Sequence, residues 1–185
     1  MARAAMSHAS RATPARPLYT PEERVRRDRS PWTIVQAVLA PLQFLAFLVS
    51  LWLVLHFLRT GEGADAATAS VLVKTALLYT IMVTGAVWER EVFGVWLFAH
   101  SFFWEDVVSM AVIALHTAYL WAWLTGALDL RAQMLLALVA YATYVVNALQ
   151  FFLKLRAARR AAAEADAADA AGAVGTAAPQ WASQP

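Results

Sequence analysis

Four uninterrupted apolar runs limit what this chain can fold into: Trp32 to Leu58, Thr68 to Trp88, Val107 to Thr125 and Gln133 to Leu153. Of 15 basic and 13 acidic side chains, only Lys74 lies inside one of them. About 20 helical residues cross a hydrocarbon core about 30 Å thick, and the shortest run has 19. A transmembrane barrel would instead require segments of about ten residues that alternate apolar and polar. These runs are apolar on every side. They predict an all-α integral membrane protein with four transmembrane helices. The composition agrees, since 61% hydrophobic and 15% charged residues leave too little charge to cover a soluble surface.

The charges outside the runs predict how the helices are oriented. Residues 1–31 form a basic arm with seven arginines and four prolines, expected to be mobile, and Arg90, Lys154, Arg156, Arg159 and Arg160 fall on the same side of the membrane as that arm. Only Arg59 and Arg131 fall on the other. By the positive-inside rule both termini and the segment from Glu89 to Asp106 are cytoplasmic, in a bacterial inner membrane crossed several times. Trp32, Trp88, Trp96 and Trp104 then line the cytoplasmic interface, with Trp52, Trp121 and Trp123 near the opposite one. The membrane domain is expected over residues 32–156, and an Ala-rich tail over 157–185, helical at first and disordered beyond about Gly172. The first run lacks a short core with a cleavage motif, which argues against a removable signal peptide. Membrane orientation accounts for the basic residues, so no nucleic-acid partner is expected. The chain has no cysteine, which excludes disulfides, thiolate metal sites and a cysteine nucleophile.

Polar residues within membrane spans face the bundle interior, as structural hydrogen-bonding groups or as a site. Gln36, Gln43 and Ser50 repeat every seven residues in the first run, and Thr143, Asn147 and Gln150 in the fourth, with Lys154 just past its end, follow helical spacing. Pro41 removes a backbone donor and is expected to kink the first helix. On the helix of the third run, extended back to Glu105, the residues Glu105, Ser109, Val112, His116, Tyr119 and Trp123 share one face. Eleven residues place Glu105 and His116 about 16 Å apart along the axis, too far for an acid–imidazole pair. His116 is open to two readings, a packing residue or a ligand. Lys74 is equally open, either snorkelling to the interface or pairing with a substrate carboxylate.

Carboxylates concentrate in one place. Glu89, Glu91, Glu105 and Asp106 lie within 18 residues that also hold His100 and several aromatics. Glu105 and Asp106 also suit the first turn of a helix capped by Ser101, where negative charge complements the dipole, and Glu89 and Glu91 suit an ordinary helix exit. Taken together, carboxylates in a partly desolvated site fit general acid–base chemistry.

The segments PLYTPEERVRRDRSPWTIVQ from Pro17, WEREVFG from Trp88, FFWEDVVSM from Phe102 and YVVNALQFFLKLR from Tyr144 carry a resemblance. In that order they resemble the 2-vinyl bacteriochlorophyllide hydratases, also called chlorophyllide 3-vinyl hydratases. The likeness covers about Pro17 to Arg160 and leaves out the first sixteen residues, where Met6 is an alternative start, and the Ala-rich tail. It implies a small membrane enzyme of bacteriochlorophyll a synthesis, a hydro-lyase that adds water to the 3-vinyl group of a chlorophyllide or bacteriochlorophyllide to give a 1-hydroxyethyl group. It implies no cofactor of the protein's own, the magnesium arriving with the substrate. Besides that substrate and the lipid bilayer, a second copy of the chain or neighbouring pigment-biosynthesis enzymes are candidate partners.

Such chemistry needs a general acid, a positioned water and a base. We expect these among Glu89, Glu105 and Asp106, with Glu105 the favoured acid and Glu91 a weaker candidate near the substrate. His116 is a candidate contact to the chlorin, including as axial ligand of its magnesium, and Arg90 or Lys74 a candidate partner for its propionate. The competing reading is a non-catalytic membrane protein that binds chlorophyllide or haem. Bis-histidine haem ligation is poorly served, because His56 ends the first run while His116 lies near the middle of the third. A transporter would call for an acidic residue deep in a span, and the sequence has none.

Overall fold

The structure, a computed structural model, describes residues 18–176. The alternative start at Met6, the first 17 residues of the arm and residues 177–185 of the tail lie outside the described residues. Within them the chain forms α1 (Pro21–Arg29), α2 (Pro31–Thr60), α3 (Ala64–Phe93), α4 (Phe103–Thr125) and α5 (Leu130–Thr176). Four of these, α2, α3, α4 and α5, are long and apolar enough to cross a membrane. Each extends past its apolar run, because helical hydrogen bonding continues beyond the hydrocarbon layer. In α3 the extension carries Glu89 and Glu91 into the last turns of the helix, and α5 continues through the alanine-rich stretch to Thr176. Alanine, the strongest helix former, sustains it there.

The bundle is two antiparallel hairpins. α2 packs along α3 through a tight Gly61–Gly63 turn, and α4 packs along α5, with sparser contact between the two pairs. Gly61, at φ 77°, ends α2 in the left-handed conformation that glycine adopts without strain. α2 passes through Pro41 as one helix. Between the hairpins, Phe47 of α2 meets Tyr141 and Tyr144 of α5, with ring centroids 5.6 and 5.1 Å apart. Ser50 joins them through hydroxyl hydrogen bonds to Tyr141 (2.5 Å) and to Ser70 of α3 (2.7 Å). The seven-residue repeat in α2 is thus partly explained, since Gln36 also crosses to α3 and donates to Thr84 Oγ1 at 2.8 Å.

The arm expected to be mobile is helical from Pro21 and docked. Thr20 and Glu23 cap α1 reciprocally. Arg26 Nε donates to the Val92 carbonyl at 2.8 Å, and Ser30 Oγ donates to Glu91 at 2.6 Å. Arginines attributed only to orientation therefore include one that accepts a structural task. Next to this joint, Phe102 is buried within a ring of aromatics formed by Tyr19, Trp88, Phe93 and Phe151 at centroid distances of 5.8–6.4 Å. These side chains come from the α1 entry, α3 and α5, so Phe102 ties both hairpins and the arm together. Truncating it to alanine leaves a cavity and is expected to cost about 3–5 kcal/mol. The check is thermal unfolding of the Phe102→Ala variant in detergent, read against the lipid-facing Phe152→Ala.

Candidate functional site

The α3–α4 connection, residues 94–102, has a backbone bond from the Phe102 amide to the Ala99 carbonyl at 2.8 Å, and two carboxylates hold its middle. Glu89, on the last turns of α3, accepts from the Ala99 amide at 3.1 Å. Asp106, in the first turn of α4, accepts from the Phe98 amide at 2.7 Å. Both side chains are buried, at 6% and 4% exposure, and because they bond to the consecutive amides of Phe98 and Ala99, the two carboxyl groups are neighbours. Two neighbouring buried carboxyl groups do not both ionise without a large cost, so the pair is suited to holding one proton next to one negative charge.

Phe98 takes φ 61°, the one non-glycine residue with positive φ among the described residues. A left-handed non-glycine backbone is strained. The bond from its amide to Asp106 is what the strained conformation makes available. Beside this contact is an exposed aromatic shelf, in which the Phe98 and Phe103 rings are tilted with centroids 5.8 Å apart and Phe103 meets Trp104 edge-on at 5.5 Å.

Glu105 stands apart from the Glu89–Asp106 pair in its chemistry. It is buried, and its Oε2 lies 2.5 Å from Lys154 Nζ of α5. The same ammonium donates to the Ser101 carbonyl and lies over the Phe102 ring, 5.0 Å from its centroid. A carboxylate matched to an ammonium is a poor proton donor, so the acid favoured from the sequence sits in the least suitable of the three environments. Ser101 does not cap α4 as expected. Its hydroxyl donates to the Leu18 carbonyl at 2.9 Å, and α4 starts after Phe102 without a side-chain cap.

The remaining candidates divide between the surface and the core. Arg90 is exposed, with its guanidinium 4.7 Å from the Trp96 ring centroid. Glu91, also exposed, is engaged by Ser30. Lys74 does not snorkel. It is fully buried, 3.3 Å from His116 Nε2 and 4.1 Å above the Tyr144 ring. The Nδ1 of His116 faces the Val112 carbonyl at 2.8 Å, and a carbonyl only accepts. Nδ1 therefore carries the proton, and the Nε2 lone pair receives Lys74. Neither side chain faces an open surface. An axial contact from His116 to magnesium, or capture of a carboxylate by Lys74, would first require their mutual contact to break. The face of α4 holds as read except at its far end, where Ala122 is buried and Trp123 is exposed. Lys154, seven residues after Asn147, was visible from the sequence only as the end of a polar stripe. Its pairing with Glu105 depends on how α5 lies against α4.

A family model described as 2-vinyl bacteriochlorophyllide hydratase matches residues 19–157. The 2-vinyl bacteriochlorophyllide hydratase of Rhodobacter capsulatus is 66% identical over 159 residues, covering 86% of this chain and 92% of the relative. That of Cereibacter sphaeroides is 65% identical over 154 residues, covering 83% of this chain and 96% of the relative. No solved structure matches the chain. The match takes in all four membrane helices, the aromatic shelf and every carboxylate of the cluster, and the chain belongs to the 2-vinyl bacteriochlorophyllide hydratase family, a family of hydro-lyases.

Proposed function

We propose that this chain adds water across the 3-vinyl group of a bacteriochlorophyllide or chlorophyllide, giving a 1-hydroxyethyl group, by general acid–base catalysis at Glu89 and Asp106. The relatives' names supply the reaction and the bacteriochlorophyllide substrate. The observation that supports the site is the buried Glu89–Asp106 pair, which two backbone amides hold beside exposed aromatic rings and which no ammonium or guanidinium among the described residues contacts.

The steps balance within the pair. The shared proton moves to the terminal vinyl carbon as the π electrons form the new C–H bond. Positive charge develops on the inner carbon, where the macrocycle delocalises it. Water bonds to that carbon through its oxygen, and its surplus proton returns to the carboxylate left behind. The pair ends as it began, so neither a redox partner nor a metal of the protein's own is called for; the magnesium is part of the substrate. In this reading Phe98, Phe103 and Trp104 offer the macrocycle an apolar surface, and Arg90, exposed beside Trp96, is the cation assigned to its propionate.

This reading puts the chemistry on the cytoplasmic side of a bacterial inner membrane, with both termini inside. A C-terminal green fluorescent protein fusion is then expected to fluoresce and an alkaline phosphatase fusion at the same point to be inactive; the opposite pattern would reject the orientation.

Supplied with the 3-vinyl substrate, the protein is expected to yield a product heavier by one water with loss of the vinyl conjugation in its absorbance. Glu89→Gln and Asp106→Asn are expected to lower that rate about 100-fold or more while retaining the fold. If both variants turn over at the full rate, the site is elsewhere.

Glu105 and Lys154 are expected to act on stability instead. Lys154→Met leaves a buried carboxylate without its cation, at a cost of about 3 kcal/mol. Combining it with Glu105→Gln should recover most of the loss, which a double-mutant cycle on detergent unfolding measures.

A further inference from the structure

Gln43 is 2% exposed, and neither its amide nitrogen nor its amide oxygen has a hydrogen-bond partner. The side-chain oxygens of Asn147 and Gln150 are buried without partners as well. Interhelical contacts fix the depth of these groups. Ser50 touches Tyr141, and His116 lies against Tyr141 with ring centroids 6.0 Å apart. Gln43 is seven residues from Ser50 toward the carboxylate end of α2. Asn147 is six from Tyr141 along α5, and Ser109, which accepts from the Asn147 amide at 2.9 Å, is seven from His116. All three steps amount to about 10 Å of rise in the same direction. A polar layer therefore lies between the Lys74–His116 contact and the carboxyl cluster, on the inner faces of α2, α4 and α5.

Hydrocarbon cannot satisfy amides at this depth, and the two neighbouring polar layers already use their own partners. The chemical species that fits is small, both donor and acceptor, and able to bind several unmatched amide atoms at once. We propose that Gln43, Asn147 and Gln150, with Ser109, bind a cluster of internal water molecules, and that this cluster supplies the water consumed at the Glu89–Asp106 pair. The second clause rests on the hydration reading above. The first does not. For an enzyme whose substrate is apolar and membrane-embedded, water is the co-substrate hardest to bring to the reaction, and a polar layer one to two turns beneath the carboxylates keeps it at hand without opening the bundle to solvent.

Millisecond hydroxyl-radical labelling of the full chain in lipid nanodiscs tests both clauses, using water itself as the probe. Phe47 and Tyr144, both buried beside this layer, are expected to be oxidised more than Phe44 and Phe152, which are exposed on the bundle surface and face lipid. Labelling no greater than at Phe44 and Phe152 would overturn the proposal of bound water. In Gln43→Leu and Asn147→Leu the labelling of Phe47 and Tyr144 should disappear, with an unchanged or higher unfolding temperature, and hydration should slow about tenfold or more. Loss of labelling with full turnover would reject the supply role and keep the binding site. A wild-type protein that labels as expected but forms no hydrated product would reject the hydration reading alone.

Discussion

Two buried carboxyl groups bonded to backbone amides set the course of the α3–α4 connection, and much of that end of the bundle depends on the arrangement. Nine residues must turn the chain between two long helices at the edge of the membrane, where an unpaired amide is costly. Glu89 reaches forward from α3 and Asp106 reaches back from α4, so the two ends of the turn are fastened to each other through its middle. That brings like-charged groups together. The same placement that stabilises the turn therefore leaves a proton to be shared, and it brings Phe98 into a strained conformation beside it.

Around this joint the structure separates carboxylates by their partners. Glu91 receives a hydroxyl from Ser30, Glu105 an ammonium from Lys154, and Asp106 an amide from Phe98. With Glu89, which likewise receives an amide, four acidic residues that look equivalent along the chain thus fall into three chemical settings. Lys154 also reaches the Ser101 carbonyl, so a single cation fastens α5 to both the connection and α4. The aromatic ring around Phe102 adjoins the pair of Lys154 and Glu105, with the ammonium 5.0 Å from the Phe102 centroid.

The four helices were legible because hydrocarbon imposes a length and a polarity on whatever crosses it, and the runs meet both. Helix ends were less so, since backbone hydrogen bonding continues past the last apolar residue, as it does from Trp88 to Phe93. Within the candidate site, the concentration of carboxylates was visible, and so was the face of α4 that carries Glu105, Ser109 and His116. The roles were not. Whether a carboxylate meets a cation or another carboxylate depends on helix azimuth and register, and for Glu105 the deciding partner comes 49 residues later along the chain. Lys74 illustrates the same gap. Its spacing allows it to point either outward or inward, and the choice was made by His116 and Tyr144, on other helices.

Depth adds a constraint that distances along one helix make plain. Lys74 and Glu89 share α3 and are fifteen residues apart, which is about 22 Å of rise. A group at the end of the bundle cannot be in the same chemical environment as one so far along the helix from it. The lysine's closest partners are an imidazole lone pair and two aromatic faces, 4.1 Å from the Tyr144 centroid and 5.3 Å from that of Tyr141. Each of these accepts a hydrogen bond or attracts positive charge without bringing a counter-charge into the membrane. Lys74 thus joins three of the four membrane helices at one level, while the carboxyl groups lie at another. In the proposed hydration, a macrocycle on the aromatic shelf by Phe98 and Phe103 would be served by the second level, and the first would keep the two hairpins in register beneath it.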